Sequence, residues 1–117
     1  MVESIFQKWK KEGVKTTWNK DGQKTSEVDY KNGEKDGLET IWGYDRGKVK
    51  NYVRSVTNWK NGKKEGLEIQ WHPFHRRSKE YEKHFKDGVE NGIRKEWDIT
   101  GKLTYEGNFV DGGEEIK

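Results

Sequence analysis

The residues that could bind a metal ion are grouped between positions 72 and 84 of this sequence. His72 and His75 share the segment "HPFH", and His84 follows Glu80 and Glu82. Imidazole nitrogens and carboxylate oxygens are ligands of Zn²⁺, so this segment is the first candidate for chemistry. No further ligand has a fixed spacing to the His-x-x-His pair. We therefore interpret these histidines as solvated loop residues and predict neither a metal nor a cofactor.

Residues suited to covalent catalysis lack the surroundings that such chemistry needs. No serine stands in a Gly-x-Ser-x-Gly turn, the setting in which a serine nucleophile is typically exposed. The chain has no cysteine, which excludes a thiolate nucleophile, a thiolate metal site and a disulfide framework. We predict that the protein is not an enzyme.

A local excess of positive charge marks residues 43–58 and 72–80. These two segments hold seven Lys and Arg residues against two acidic residues, whereas the whole chain has a net charge of only +3. Arg and Tyr are frequent at the centres of protein interfaces. We predict a contact edge made of Tyr44, Arg46, Lys48, Lys50, Tyr52, Arg54, Phe74, Arg76 and Arg77. The alternative is a pair of tolerated, solvated loops.

Both basic segments interrupt a repeated phrase that fills the rest of the chain. In four copies an aromatic residue is followed seven positions later by glycine and twelve positions later by tryptophan, as in "YKNGEKDGLETIW" and "WKNGKKEGLEIQW". The period is 24 to 29 residues, and the extra residues of copies two and three all follow the tryptophan. We predict one domain, 1–117, with repeats at about 6–29, 30–58, 59–84 and 85–108 and a partial copy at 109–117.

Turn dipeptides divide each copy into two strands. The dipeptides Asx-Gly favour hairpin turns, because both turn residues need positive φ. They stand at 21–22, 32–33, 61–62, 87–88 and 111–112. Apolar and polar residues alternate between them with the period of a strand. The prediction is an all-β fold, an elongated twisted antiparallel meander of repeated β-hairpins with about eight strands. One face should be aromatic and the other charged.

The second glycine of each copy lies inside a predicted strand, where glycine is unfavourable. Apolar residues make up 28% of the chain and aromatic residues 13%, with six Trp, which favours a thin ordered sheet over a thick core. We expect each such glycine to seat an aromatic ring of the neighbouring strand. The repeated aromatics and glycines are therefore interpreted as framework.

The phrase aromatic-x-Asx-Gly-x-x-x-Gly-aliphatic-x-x-x-Trp resembles the MORN repeat, and more closely its bacterial variant. Residues 30–42, 59–71 and 85–97 match best, and residues 6–18 depart at the first glycine, where Trp9 stands. The resemblance covers nearly the whole chain. It implies an array of β-hairpins that serves protein or lipid contacts. The variant class includes antitoxin-like proteins and proteins linked to phages or mobile elements.

From this resemblance and the basic segments we expect a non-catalytic binding module that engages a partner protein, such as a toxin or nuclease effector. The resemblance further implies that it inhibits or neutralises that partner, as an antitoxin or a phage-encoded anti-defence inhibitor does. The alternative is an RNA or single-stranded nucleic-acid binding protein that stacks bases on Tyr44, Tyr52 or Phe74. Anionic lipid is disfavoured, because the basic cluster is short and no amphipathic helix is predicted.

A second location for the contact surface is the aromatic face of the sheet. An uncovered apolar patch marks an interface, which would make Trp42, Trp59 or Trp71 the anchors or would drive self-association. The sequence lacks an apolar run long enough for a membrane span and a signal-peptide core, so we predict a cytoplasmic protein.

Overall fold

The computed structural model describes residues 11–45, 48–73 and 75–116. In these residues the chain forms one open antiparallel sheet, with its strands in sequential order. The strands are β1 (Gly13–Trp18), β2 (Lys24–Lys31), β3 (Glu34–Asp45), β4 (Lys48–Lys60), β5 (Lys63–His72), β6 (His75–Lys86), β7 (Val89–Glu90), β8 (Gly92–Trp97), β9 (Leu103–Val110) and β10 (Gly113–Glu114). The extents of 57 × 43 × 14 Å are those of a single layer. The predicted all-β meander is confirmed, with two very short strands beyond the expected eight.

No helix long and apolar enough to cross a membrane occurs in the part of the chain that the structure describes.

Four of the five predicted Asx-Gly turns have the expected geometry. The first residue of each has φ between 50° and 54°, and the glycine has φ between 79° and 88°. Both values are those of a type I′ hairpin. All four turns lie at the same ends of the strands, along the side of the sheet that we call the turn edge. It comprises residues 32–33, 61–62, 87–88 and 111–112.

The prediction of a two-residue hairpin at Asp21-Gly22 is wrong. Only Gly22 has positive φ there, and the loop spans residues 19–23. The side-chain oxygen of Asn19 accepts hydrogen bonds from the amides of Asp21 (2.9 Å) and Gln23 (3.0 Å). An Asn side chain that caps its own loop in this way stabilises a longer turn. Asp98 has the same role in the loop 98–102.

Neighbouring turns on the turn edge are joined by a repeated pair of hydrogen bonds. The amide of Gly62 donates to the carbonyl of Lys35 at 2.9 Å, and the amide of Asn61 donates to Asp36 at 3.2 Å. The equivalent bonds recur one copy later, where Glu65 accepts from the Asp87 amide at 3.0 Å. The side chain before each second glycine, acidic in three copies and Asn91 in the fourth, therefore accepts a hydrogen bond from the next hairpin turn.

The second glycines lie opposite the aromatic residues of the following copy, as predicted. The register pairs Gly37 with Trp59 and Gly66 with Phe85. A Cβ atom at these glycines would not meet the rings, however. At Gly37 it would lie 3.3 Å from the Cβ of Asp29, and φ is +114°. Glycine recurs because the backbone needs positive φ, which L side chains rarely adopt, and not because an aromatic ring fills the place of a Cβ atom.

The positive φ belongs to a bulge in the hairpin. Between the pairs Thr57↔Glu68 and Trp59↔Lys64, residues 65–67 of β5 oppose Asn58 of β4 alone. The Asn58 side chain donates to the carbonyl of Leu67 at 2.9 Å, which satisfies a group that the bulge releases from the ladder. The ladder between β2 and β3 shifts its register at the equivalent place, between Val28 and Tyr30.

The expectation of one aromatic and one charged face is wrong. Thr57 and Trp59 share a face, and across the ladders that face also carries Glu39 and Glu68. The aliphatic residues that follow the glycines lie on the opposite face, where Leu38 is 50% exposed. The bulges cause this, because a change of register at each glycine moves the following residues relative to a simple alternation.

Cationic side chains cover the aromatic rings of this single layer. Lys35 Nζ lies 4.7 Å from the centre of the Trp59 ring, and Lys64 Nζ lies 4.9 Å from that of Phe85. The aliphatic stem of a lysine covers apolar surface while its charge stays near water. The buried hydrophobic core is correspondingly small and comprises Val28, Tyr52 and Phe109 among the described residues.

Candidate binding edge

Both insertions lie side by side at the opposite ends of the strands from the turn edge. We call residues 43–54 and 72–80 the insertion edge. Their adjacency was predicted from the meander, and it follows because β3, β4, β5 and β6 are consecutive neighbours in the sheet. The loops 19–23 and 98–102 reverse the chain on either side of them.

The first insertion lengthens the hairpin formed by β3 and β4. The ladder between β3 and β4 continues through Tyr44↔Asn51 to Asp45↔Lys48. These two strands are accordingly long, at 12 and 13 residues. The lengthened ladder contains two register shifts, which leave first Arg54 and then Val49 and Lys50 without partners in β3.

The second insertion is a bulge in β6. Trp71 pairs with Lys79 and His72 pairs with His75, so residues 76–78 have no partner across the ladder to β5. Ser78 anchors the bulge, because its hydroxyl donates to the carbonyl of Asp98 at 2.8 Å and the residue is buried. The extra residues are therefore held against the neighbouring loop and not extended as a longer hairpin.

Arg54 connects the two insertions. Its Nη1 donates to the carbonyl of Trp71 and lies 3.5 Å from Glu80 Oε1. Glu80 also accepts a hydrogen bond from Gln70 Nε2 at 2.9 Å. The Arg54 side chain is 28% exposed, so this predicted contact residue has a framework role at the base of the insertion edge.

The two predicted tyrosines also have partners within the sheet. A Cβ at Gly43 would lie 2.7 Å from the ring atoms of Tyr52, so this buried ring packs directly on the bare backbone. The Tyr44 hydroxyl donates to the carbonyl of Lys24 at 2.7 Å. The pKa of Tyr44 is raised, mainly by burial and to a smaller extent by the negative charge of Asp21.

The other predicted contact residues are placed less fully. Arg46 and Phe74 lie outside the described residues. For Lys48, Lys50, Arg76 and Arg77 the structure describes the backbone, which lies in β4 and β6.

Sequence reasoning missed a buried polar network beside the insertion edge. Glu68 is only 6% exposed and accepts hydrogen bonds from Thr57 (2.9 Å) and Tyr81 (3.3 Å). Lys64 Nζ lies 2.7 Å from its carboxylate. Burial raises the pKa of Tyr81 to about 12, with the neighbouring Glu68 as the next cause. Strand alternation predicted that Glu68 lies on the charged face, and no local signal marks it as buried.

The histidines singled out by the sequence bind backbone carbonyls. His72 Nε2 donates to the carbonyl of Trp97 at 2.7 Å, and His84 Nδ1 donates to that of Ile93 at 2.9 Å. Across the described ranges, no group of three or more His, Cys, Asp or Glu side chains is placed to hold a metal ion.

The aromatic face, the rival location, is engaged within the sheet around Trp59. Its indole Nε1 donates to Glu39 at 2.9 Å beneath the Lys35 ammonium group. The more exposed apolar side chains lie on the opposite face and include Val14 (62%) and Ile93 (48%). An anchor role for Trp42 or Trp71 stays a prediction.

Comparisons with known proteins gave no matching family model, no matching curated protein and no matching solved structure. The fold and the candidate site therefore define the protein by architecture. It is a single-layer array of β-hairpins with one regular edge and one basic, irregular edge.

Proposed function

We propose that this protein is a non-catalytic binding module that engages a partner protein through the insertion edge. The observation that supports the proposal is the departure of this edge from the repeat. The turn edge is uniform, whereas the insertion edge adds a long hairpin and a bulge at adjacent places. Insertions in repeat arrays commonly map to the binding surface.

The charge of the insertion edge indicates the chemistry of the partner. Its segments carry a basic excess, and the rest of the chain is slightly acidic. Of the described cations here, Lys79 is held by Glu82 and Arg54 by Glu80. A partner with an acidic surface complements the remainder, and such complementarity speeds association and selects the partner.

Inhibition or neutralisation of the partner is the finer part of the proposal. It rests on the resemblance of the repeated phrase to bacterial MORN variants, some of which are antitoxin-like or linked to phages. In such a role, binding alone blocks a toxin or nuclease effector, and the small chain needs no chemistry of its own.

Charge reversal tests the proposed edge. In the insertion-edge variant Lys48, Lys50, Arg76 and Arg77 are changed to Glu, and Arg54 is kept because it holds the base of the edge. In the matched control the exposed residues Lys31, Lys60, Lys63 and Lys86 are changed to Glu at the turn edge. A partner captured by the wild type should bind the control normally and lose at least about tenfold affinity for the insertion-edge variant.

Equal binding of the partner by the two folded variants would refute the proposed edge. Circular dichroism and the urea midpoint of both variants establish that they are folded. The purified partner should form a complex of fixed stoichiometry that survives moderate salt.

The same basic excess supports a second candidate function, the binding of single-stranded nucleic acid. In that case an oligonucleotide should bind at low salt, and its affinity should fall steeply as salt rises because counterions are released. Absence of oligonucleotide binding at low salt would eliminate this alternative.

A further inference from the structure

Strand β4 continues beyond its neighbour β5. Among the described residues, the ladder between them runs only from Lys60↔Lys63 to Ser55↔Gln70. On its other side β4 pairs with β3 at Asn51 and at Lys48, and a register shift leaves Val49 and Lys50 between them without partners in β3. In the described chain, Lys48–Asn51 therefore has a strand on one side and no strand on the side that faces β5.

Side-chain contacts follow the end of the ladder between β4 and β5. The Trp71 carbonyl, one residue beyond the last pair, accepts a hydrogen bond from the Arg54 side chain. The ladder between β4 and β5 ends where this side-chain contact begins. Beyond Trp71, the side chain of His72 bonds to Trp97 of β8, on the side of β5 away from β4.

We propose that this edge of β4, at Lys48–Asn51, binds an acidic segment of the partner as an added β-strand. The inference rests on the proposed function and deepens it by naming what the partner contributes. An unpaired strand edge offers alternating N–H and C=O groups to an incoming extended peptide. The contact between Arg54 and the Trp71 carbonyl marks where the added strand would end.

Charge decides which strand fits. Lys48 and Lys50 stand two residues apart in β4, and lysine on an edge strand disfavours pairing of that edge with another copy of itself. Directly opposed like charges destabilise a cross-strand pair, whereas opposite charges stabilise it. The fitting occupant is an extended peptide with alternating carboxylates, and not a second copy of this chain.

A synthetic peptide of alternating Thr and Glu residues serves as the probe, with fluorescence anisotropy as the readout. Two further peptides carry N-methyl groups on all the Thr amides or on all the Glu amides. They have the same charge and nearly the same composition, but each blocks only one hydrogen-bonding edge. Strand addition predicts that the unmethylated peptide binds and that the two methylated peptides differ by about tenfold or more, because several backbone bonds are lost in one of them.

Equal affinity of the two methylated peptides would overturn the inference, since binding would then depend on charge alone. Failure of the unmethylated peptide to bind at low salt, or its displacement by an oligonucleotide of equal charge, would also overturn it. The variant with Lys48→Glu and Lys50→Glu should lose peptide binding, whereas the control with Lys60→Glu and Lys63→Glu should retain it.

These outcomes separate the inference from the proposed function. If a partner is lost by the insertion-edge variant while the peptide fails, only strand addition is wrong. If the variant captures the partner as well as the wild type does, the proposed edge itself is wrong.

Discussion

The two edges at which the strands reverse obey different rules. At the turn edge four two-residue turns share one geometry, and each of the last three is bonded to a residue just after the preceding turn. At the insertion edge the two insertions take different forms, a lengthened hairpin and a bulge. Local conformational preference builds the first edge, and contacts between distant residues build the second. A repeat array can thus keep its framework constant along one edge while the other edge varies.

The largest effect is expected near the turn edge, from a substitution at one of the bulge glycines. Gly92 has φ of +123°, and a Cβ there would lie 3.0 Å from the Cβ of His84. Gly92→Ala should therefore lower the free energy of unfolding by about 3 kcal/mol, the upper range for a strained backbone position. Urea denaturation followed by tryptophan fluorescence measures the change.

Gly13→Ala is the control for that experiment. Gly13 has φ of +84°, but a Cβ there would have no atom within 4 Å, so only backbone strain should remain, at about 1 kcal/mol. A Gly92→Ala effect no larger than that of Gly13→Ala would contradict the steric part of the explanation.

The next largest effect is expected at the insertion edge, where a substitution removes the contacts that connect the two insertions. Arg54→Met deletes the bonds to the Trp71 carbonyl and to Glu80, and should lower the free energy of unfolding by about 1.5 kcal/mol, the low end for a charged donor that is partly exposed. Urea denaturation gives the value.

Lys35→Met is the matched change near the turn edge, because Lys35 also contacts a carboxylate and is similarly exposed at 32%. It should cost less than about 1 kcal/mol, as partly exposed ion pairs do. A larger loss for Lys35→Met than for Arg54→Met would reverse the contrast between the two edges.

A smaller effect tests whether the side chains before the second glycines hold neighbouring turns together. Glu65→Ala removes the acceptor of the Asp87 amide, 3.0 Å away, and should cost about 0.5–1 kcal/mol. Asn91→Ala removes a longer contact of 3.4 Å to the Asp111 amide and should cost less. Hydrogen exchange at the Asp87 amide should quicken in Glu65→Ala, and unchanged exchange would show that this hydrogen bond contributes nothing.

The smallest effect is confined to high pH and lies in the network between the two edges. Because the pKa of Tyr81 is raised from 10.0 to about 12, its contribution to stability is complete below pH 10 and is lost as pH rises through about 12. Titration of tyrosinate absorbance should show a component near pH 12, and Tyr81→Phe should remove it. A component near pH 12 that persists in Tyr81→Phe would belong to another tyrosine.

The repeat and four of its turns could be predicted, because Asx-Gly at 32–33, 61–62, 87–88 and 111–112 acts through local φ preference. The pairing of glycines with aromatics was also predicted correctly. Its cause was not, since a bulge depends on how many residues each strand places between two fixed pairs. The same limit explains why a two-residue hairpin was predicted at Asp21-Gly22. The Asn19 side chain instead stabilises a longer loop there.

The sequence predicted the adjacency of the two insertions but not the contacts that their side chains make within the sheet. Its two segments are adjacent, as the meander required. Tyr52 and Arg54 were assigned to the contact surface from residue type, but one packs on Gly43 and the other binds the Trp71 carbonyl. Those partners are separated from them along the chain, and no spacing rule signals them.

The sequence by itself determined the all-β class, the order of the hairpins and the place where the repeat is interrupted, because those features depend on residues close together along the chain. The tertiary structure alone decided which face buries Glu68, where β4 and β5 separate, and how each insertion is accommodated. The physical reason is register. A bulge in one ladder changes which residues oppose each other in that ladder, and this depends on the neighbouring strands together.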